Sequence, residues 1–402
     1  MTDDADVVRL AFALFAVQAG FHGFTASLPV ALAGAGVSDA EIGLIVGVAS
    51  LVQIPAAFLA GVIVDRVGGL RVIAVGGLAY LAGCGIFLLP GVEPGGSAAP
   101  FLVARFCQGL GIAGTLPAAM SLVPRLVDRD RQGVGLAFVG SAHNLTMVTM
   151  PPVSLAILAA TSLQGVALAM IAVVVGGLAL IFLMPFDLDR FVARDAALVP
   201  TEPVARRRLG FAFRRSWSPL IAMVVLFIAY WGVVVAYLPQ RAVAAGADVG
   251  LFFAADGLAV LLFRVPTGWL ADRMAAVVLI VAGLATTAVS IVMLTLPLTT
   301  PILIAAGAIG GAGGGMAMTP ILVELSRRSS DADRGSAFSS FSAALASALV
   351  IGSIGGAPVV ETLGFEAALW IGCAAVGVGV IVALADPRLR ASGGRVRAAS
   401  RA

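Results

Sequence analysis

Gly61-Val-Ile-Val-Asp65-Arg66 and Gly268-Trp-Leu-Ala-Asp272-Arg273 are two versions of one short phrase, set 207 positions apart in a chain of 402 residues. Each closes a long apolar run at the point where charged residues begin. A half-length repeat, marked by an Asp-Arg pair at the water's edge, implies two similar bundles in tandem. In a membrane, the seam between such bundles is where a solute can be held and passed across. The repeat continues in a second pair of loops. Pro117, Arg125, Asp128, Asp130 and Arg131 recur as Pro320, Arg328, Asp331, Asp333 and Arg334, all at one offset of 203. Loops drift fastest, so a charged loop repeated at fixed spacing marks a duplication with a shared structural role.

Composition names the solvent. The chain is 60% hydrophobic and 12% charged, with a mean hydropathy of +1.05, and a soluble domain of this length carries far more polar surface. Apolar spans of about twenty residues, the length that crosses a bilayer, occur at 8–32, 40–63, 70–90, 99–123, 132–159 and 163–186, then at 218–240, 248–271, 275–297, 300–325, 335–360 and 364–385. Backbone groups in hydrocarbon must be satisfied within each span, so the spans are helices; a barrel would show short alternating strands. The sequence therefore predicts an all-α membrane protein of twelve transmembrane helices in two pseudo-symmetric six-helix bundles. The expected division is an N-terminal bundle at 1–187, a linker at 188–217, a C-terminal bundle at 218–386 and a disordered tail at 387–402.

The basic residues fix the expected orientation. All 25 are arginine, and 22 of them fall on one side of the twelve-helix pattern, in loops, linker or tail. Arg241 alone lies opposite, and Arg105 and Arg264 lie within spans. The positive-inside rule then places both termini in the cytoplasm, with the protein multi-pass in the cell (inner) membrane. This distribution accounts for the pI near 9.1 better than a nucleic-acid partner does, and none is expected. A leading cluster of Asp3, Asp4 and Asp6 in place of a basic segment argues for a retained first helix. Cys84, Cys107 and Cys373 sit in apolar spans without metal-ligand spacing and read as small core residues.

At these residues the chain resembles the major facilitator superfamily of secondary transporters, over essentially its whole length. The family's loop between helices 2 and 3 reads Gly-x-Leu-x-Asp-Arg-x-Gly and then basic residues. It is matched by Gly61, Ile63, Asp65, Arg66 and Gly68, with Arg71 just beyond, and by Gly268, Leu270, Asp272 and Arg273 in the second copy. A helix-4 signature, Arg-x-x-x-Gly-x-Gly, is matched by Arg105, Gly109 and Gly111, with Gln108 inside it. The stretch Arg264 to Arg273, with Gly307 to Gly315, Pro320 and Arg334-Gly335, is similar to sugar- and drug-efflux permeases of the family. The resemblance implies alternating access, with an ion gradient as the driving force.

Candidate residues follow from position and charge. The Asp-Arg loops are the expected cytoplasmic gate: Asp65, Arg66, Asp272 and Arg273, with Arg125 and Arg328 as partners from the matching loops. Ionisable groups inside a membrane are functional by default, which selects Arg105, Arg264 and Asp256. Asp256 is the one carboxylate clearly inside a span, a candidate proton carrier. It stands eight residues before Arg264, about 12 Å along the axis and too far for a direct pair. Two arginines against one aspartate point to an anionic or polar solute. Gln18, His22, Thr25 and Pro29 form a polar stripe at helical spacing on the first span, making His22 a contact candidate; Gln108, Asn144 and Tyr230 complete the set. The glycines from Gly307 to Gly315 lack a following Lys-Ser/Thr, so close helix packing is expected there and not a phosphate loop. No cofactor, metal or enzymatic cluster is expected. The expected function is proton-coupled efflux of a small organic solute by a monomer, with proton-coupled uptake of a polar or anionic metabolite, or a non-transporting sensor on the same fold, as alternatives.

Overall fold

The computed structural model describes residues 4–127, 132–184, 213–271, 273–329 and 334–390, and among them the regular structure is entirely helical. The first half comprises α1 (Asp4–His22), α2 (Ser27–Gly34), α3 (Asp39–Val67), α4 (Gly69–Ile86), α5 (Ala98–Leu126), α6 (Gln132–Ala160) and α7 (Leu163–Phe182). The second comprises α8 (Ser218–Ala244), α9 (Val249–Ala271), α10 (Ala276–Met293), α11 (Thr300–Arg327), α12 (Arg334–Val350), α13 (Ala357–Leu363) and α14 (Phe365–Ala385). These make twelve crossings, because α1 with α2 forms the first and α12 with α13 the eleventh. Among the described residues, eleven segments have the length and apolarity of a membrane span. The remaining crossing, α6, is 29 residues long but carries Ser141, His143, Asn144, Thr146 and Thr149, which dilute its apolar character without shortening it.

Local chemistry sets the helix ends. The Ser38 hydroxyl accepts from the Glu41 amide at the start of α3, and Ser162 does the same for Gly165 in α7, satisfying amides that a helix start leaves open. Gly68, at φ +99°, lets the chain leave α3 and enter α4 within one residue, a backbone conformation that residues with a Cβ rarely adopt. Two crossings are interrupted in ways the apolar pattern does not reveal. The first breaks at 23–26 and resumes after the Ser27 hydroxyl donates to the Gly23 carbonyl at 2.7 Å. The eleventh contains a π turn at Ile351–Gly355.

The duplication is visible in the packing. In the first half α5 lies against α3 and α4, α1 lies against α6 and α7, and α4 meets α7. In the second half α11 lies against α9 and α10, α8 lies against α12 and α14, and α10 meets α14. These are the same pairings, crossing for crossing. The halves then meet through α6 on α9 and α3 on α12, two contacts that a half-turn exchange maps onto each other.

The halves are pinned together at the membrane face opposite the one bearing residues 4 and 385. Arg241, at the end of α8, reaches Asp39 at the start of α3 with an Nη2 to Oδ2 distance of 2.8 Å. The Ala40 amide donates to Glu361 Oε1 at 2.9 Å. Below them, Tyr237 donates to the Ser353 carbonyl in the π turn. A methyl group at Gly43 of α3 would strike both of those oxygens, and one at Gly47 would strike Ser353 and Ile354. Small residues on α3 thus let the π turn approach to backbone distance, and this face is shut.

Candidate functional site

A cavity of about 90 Å³ lies between the halves. His22 of α1 and Thr25 of the break after it line one side, with Asn144, Met147 and Pro151 of α6. Trp231 and Val235 of α8 face them, with Phe253, Asp256, Gly257 and Val260 of α9. Both bundles therefore contribute, and each contributes polar groups. The interruption of the first crossing lies at this level, directly after His22 and including Thr25. Pro151 and Pro152 remove backbone donors within α6, a common source of bending, beside the same space.

Asp256 owes its place to glycine. One side of α11 is bare at Gly307, Gly311 and Gly315, where an added methyl would meet the Phe252 and Asp256 carbonyls and the Val260 and Arg264 backbone of α9. The other side is bare at Gly310 and Gly313, where Ser290 and Thr287 of α10 press in. The glycine run is thus a packing surface on two sides, and it holds the α9 backbone at Asp256 in contact with its neighbour. The Asp256 carboxylate, among the described residues, makes no hydrogen bond or ion pair.

The candidates divide. His22, Asn144 and Asp256 meet in the cavity. Arg105 and Gln108 do not line it. Arg105, 3% exposed, donates to Gln108 Oε1 at 2.8 Å and to the Val46 carbonyl at 3.3 Å, and its guanidinium caps the Phe21 ring at 4.6 Å. Gln108 in turn donates to the Gly20 carbonyl. The pair ties α5 to α1 and α3 within one half. Tyr230 is buried against Gly372 of α14, inside its own half. Arg264 is exposed, about two turns along α9 from Asp256, with no hydrogen bond or ion pair among the described residues. The two arginines therefore do not line the cavity, and the one formal charge among its lining residues is the Asp256 carboxylate.

The polar stripe on the first crossing also divides. Gln18 bonds His143 and donates to Thr115 at 3.3 Å, inside the first half. His22 packs edge-on to His143, with ring centroids 5.5 Å apart, and its Nε2 is buried with no hydrogen-bond partner among the described residues. Sequence reasoning passed over Trp231 and Phe253, whose rings stand edge-to-face at 6.0 Å. It also passed over Asp39 and Glu361 on the shut face. Arg241 as the lone arginine of that face was the available signal for its acidic partner.

Of the expected gate, the side chains of Asp65, Arg66 and Arg125, and the whole of Asp272, lie outside the described residues. Arg273 covers the Trp269 ring at 3.5 Å. Arg328 is held within its own half, by Asp386 at 2.7 Å and, more loosely, Glu324 at 3.8 Å. Most of the linker and the tail from 391 onward also lie outside the described residues.

The profile of the Major Facilitator Superfamily matches residues 10–246 and 241–401. No curated protein sequence gives a match. Among solved structures, a peptide transporter of the POT family in complex with alafosfalin superposes with a TM-score of 0.74 at 18% identity, covering 97% of this chain and 95% of that one. A POT family transporter in complex with 5-aminolevulinic acid gives 0.75 at 15% identity, covering 95% and 96%. The human organic anion transporter MFSD10 (TETRAN) gives 0.63 at 16% identity, covering 94% and 98%. At such identities these likenesses speak to the fold. The two tandem matches, the duplicated helix packing and the cavity between the halves lead to one conclusion: this chain is a multi-pass membrane protein of the Major Facilitator Superfamily, a family of secondary transporters and not of enzymes.

Proposed function

We propose that this protein exports a small organic solute in exchange for protons, by alternating access of the central cavity to the two membrane faces. The observation that carries the reading is the cavity itself: both halves line it, and its one carboxylate, Asp256, makes no hydrogen bond or ion pair among the described residues. A carboxyl group placed so is satisfied by a proton or by a bound solute. The shut face supplies the second element. Opening requires the Asp39–Arg241 pair and the Glu361–Ala40 bond to part, while the opposite ends of the bundles draw together. We assign that closing contact to the Asp-Arg loops, with Asp65, Arg66, Arg125, Asp272, Arg273 and Arg328 as its residues. In this reading Arg328 exchanges partners during the cycle. The protein works as a monomer in the cell's inner membrane with both termini cytoplasmic.

Uptake by proton symport is the second reading, and the likeness to peptide-transporter structures with bound small molecules favours it. Inverted membrane vesicles with an imposed inward-acid proton gradient separate the two. A panel of solutes is screened for accumulation and for accompanying proton flux. Solute accumulating in inverted vesicles as protons leave identifies exchange and export. Accumulation confined to right-side-out vesicles, with protons entering alongside, identifies uptake. Flux of neither kind for any solute contradicts both.

A further inference from the structure

We propose that the central cavity selects a small organic amine in its cationic form, with the ammonium on the Asp256 carboxylate and the apolar body against the Trp231 and Phe253 rings. The inference rests on the reading of this cavity as the solute site and adds the chemical class. Three features of the wall carry it. Asp256 is the one formal charge among the lining residues and makes no hydrogen bond or ion pair among the described residues; Arg105 is capped by Phe21 and bonded to Gln108 and Val46, and Arg264 lies about two turns away. The aromatic rings that share the cavity wall with the carboxylate belong to a cluster, in which Trp231 also stacks on Phe252 at 6.0 Å and 26°, and an indole face attracts a desolvated cation. The third is His22, 5% exposed with Nε2 unpaired, which with Asn144 offers hydrogen bonding on the opposite wall. A hard metal ion needs a cage of several oxygens. Here only Asp256, Asn144 and Thr25 supply any, while Met147, Pro151, Val235 and Val260 suit a hydrocarbon body.

Three probes share one body and differ in charge: phenethylamine, 2-phenylethanol and phenylacetate. Binding of radiolabelled phenethylamine to the purified full chain in detergent is measured with the other two as competitors. Saturable binding is expected, with both competitors weaker by about tenfold or more. Asp256→Asn is expected to weaken amine binding by about tenfold or more. Trp231→Leu is expected to weaken it by about three- to thirtyfold, while Trp231→Phe retains most of it. The Trp231 pair keeps the test decisive if Asp256→Asn misfolds, which size-exclusion elution reveals. Equal or tighter binding of phenylacetate, no binding of any probe, or indifference to both positions overturns the assignment. If the amine binds as described yet nothing is carried across liposomes, the transporter reading fails and the site stands. If another solute is carried and the amine does not bind, the site assignment alone fails.

Discussion

Asp256 and Arg105 are both ionisable groups in apolar spans, and the sequence marks them equally. Their surroundings separate them. Arg105 has two hydrogen-bond acceptors and an aromatic cap, so its role is to fasten three helices of one half. Hydrogen bonds to a charged group contribute about 1.5–3 kcal/mol each. Arg105→Ala is therefore expected to lower the thermal midpoint in detergent by several degrees, and Arg105→Lys to recover only part, because an ammonium lacks the planar fork. A full loss of solute binding with an unchanged midpoint would instead make Arg105 a solute ligand. Charge inside a span was legible because hydropathy exposes it. The partners were not, because Val46 and Phe21 meet Arg105 only through the rotation of α3 and α1 about their axes. The anionic-solute expectation counted charges without the knowledge of which faced the cavity.

At the scale of elements, the twelve spans were legible almost to their ends, since span length is set by the bilayer and apolar runs show it directly. The break at 23–26 and the π turn at 351–355 were hidden, because hydropathy carries no information on hydrogen-bond register. Both matter: one lies beside the cavity at His22 and Thr25, the other builds the shut face. The glycine run of α11 was readable as a packing surface, and its two-sided pattern explains why so many glycines are needed. Gly311 lies against the Asp256 carbonyl, where backbone cannot yield as a flexible side chain does. Gly311→Val is expected to force α9 and α11 apart, costing about 1–3 kcal/mol and displacing Asp256. A lowered thermal midpoint with weakened solute binding checks this; a variant as stable and active as the parent would show that α11 is held by other contacts.

For the whole molecule, the duplication read from two Asp-Arg phrases became five repeated helix pairings and two exchange-related contacts between halves. Which face is shut was not legible. Asp39, Arg241 and Glu361 lie far apart in the chain and read singly as loop charges. The Asp39–Arg241 pair is about one-quarter exposed on each side, so solvent screening limits it to about 1 kcal/mol or less. Asp39→Asn is accordingly expected to raise the population open at that face by up to about fivefold. In a background with Cys84, Cys107 and Cys373 replaced by serine, Val235→Cys in the cavity wall reports this as faster labelling by an impermeant maleimide applied to that face. An unchanged rate would mean that the α3 and π-turn packing holds the face alone. Exchange through one carboxylate is tested most directly in proteoliposomes, by following proton movement when solute is added to wild type and to Asp256→Asn. Solute-dependent proton movement in the wild type and its loss in a folded Asp256→Asn are expected. Equal solute-driven proton movement in both would contradict the account.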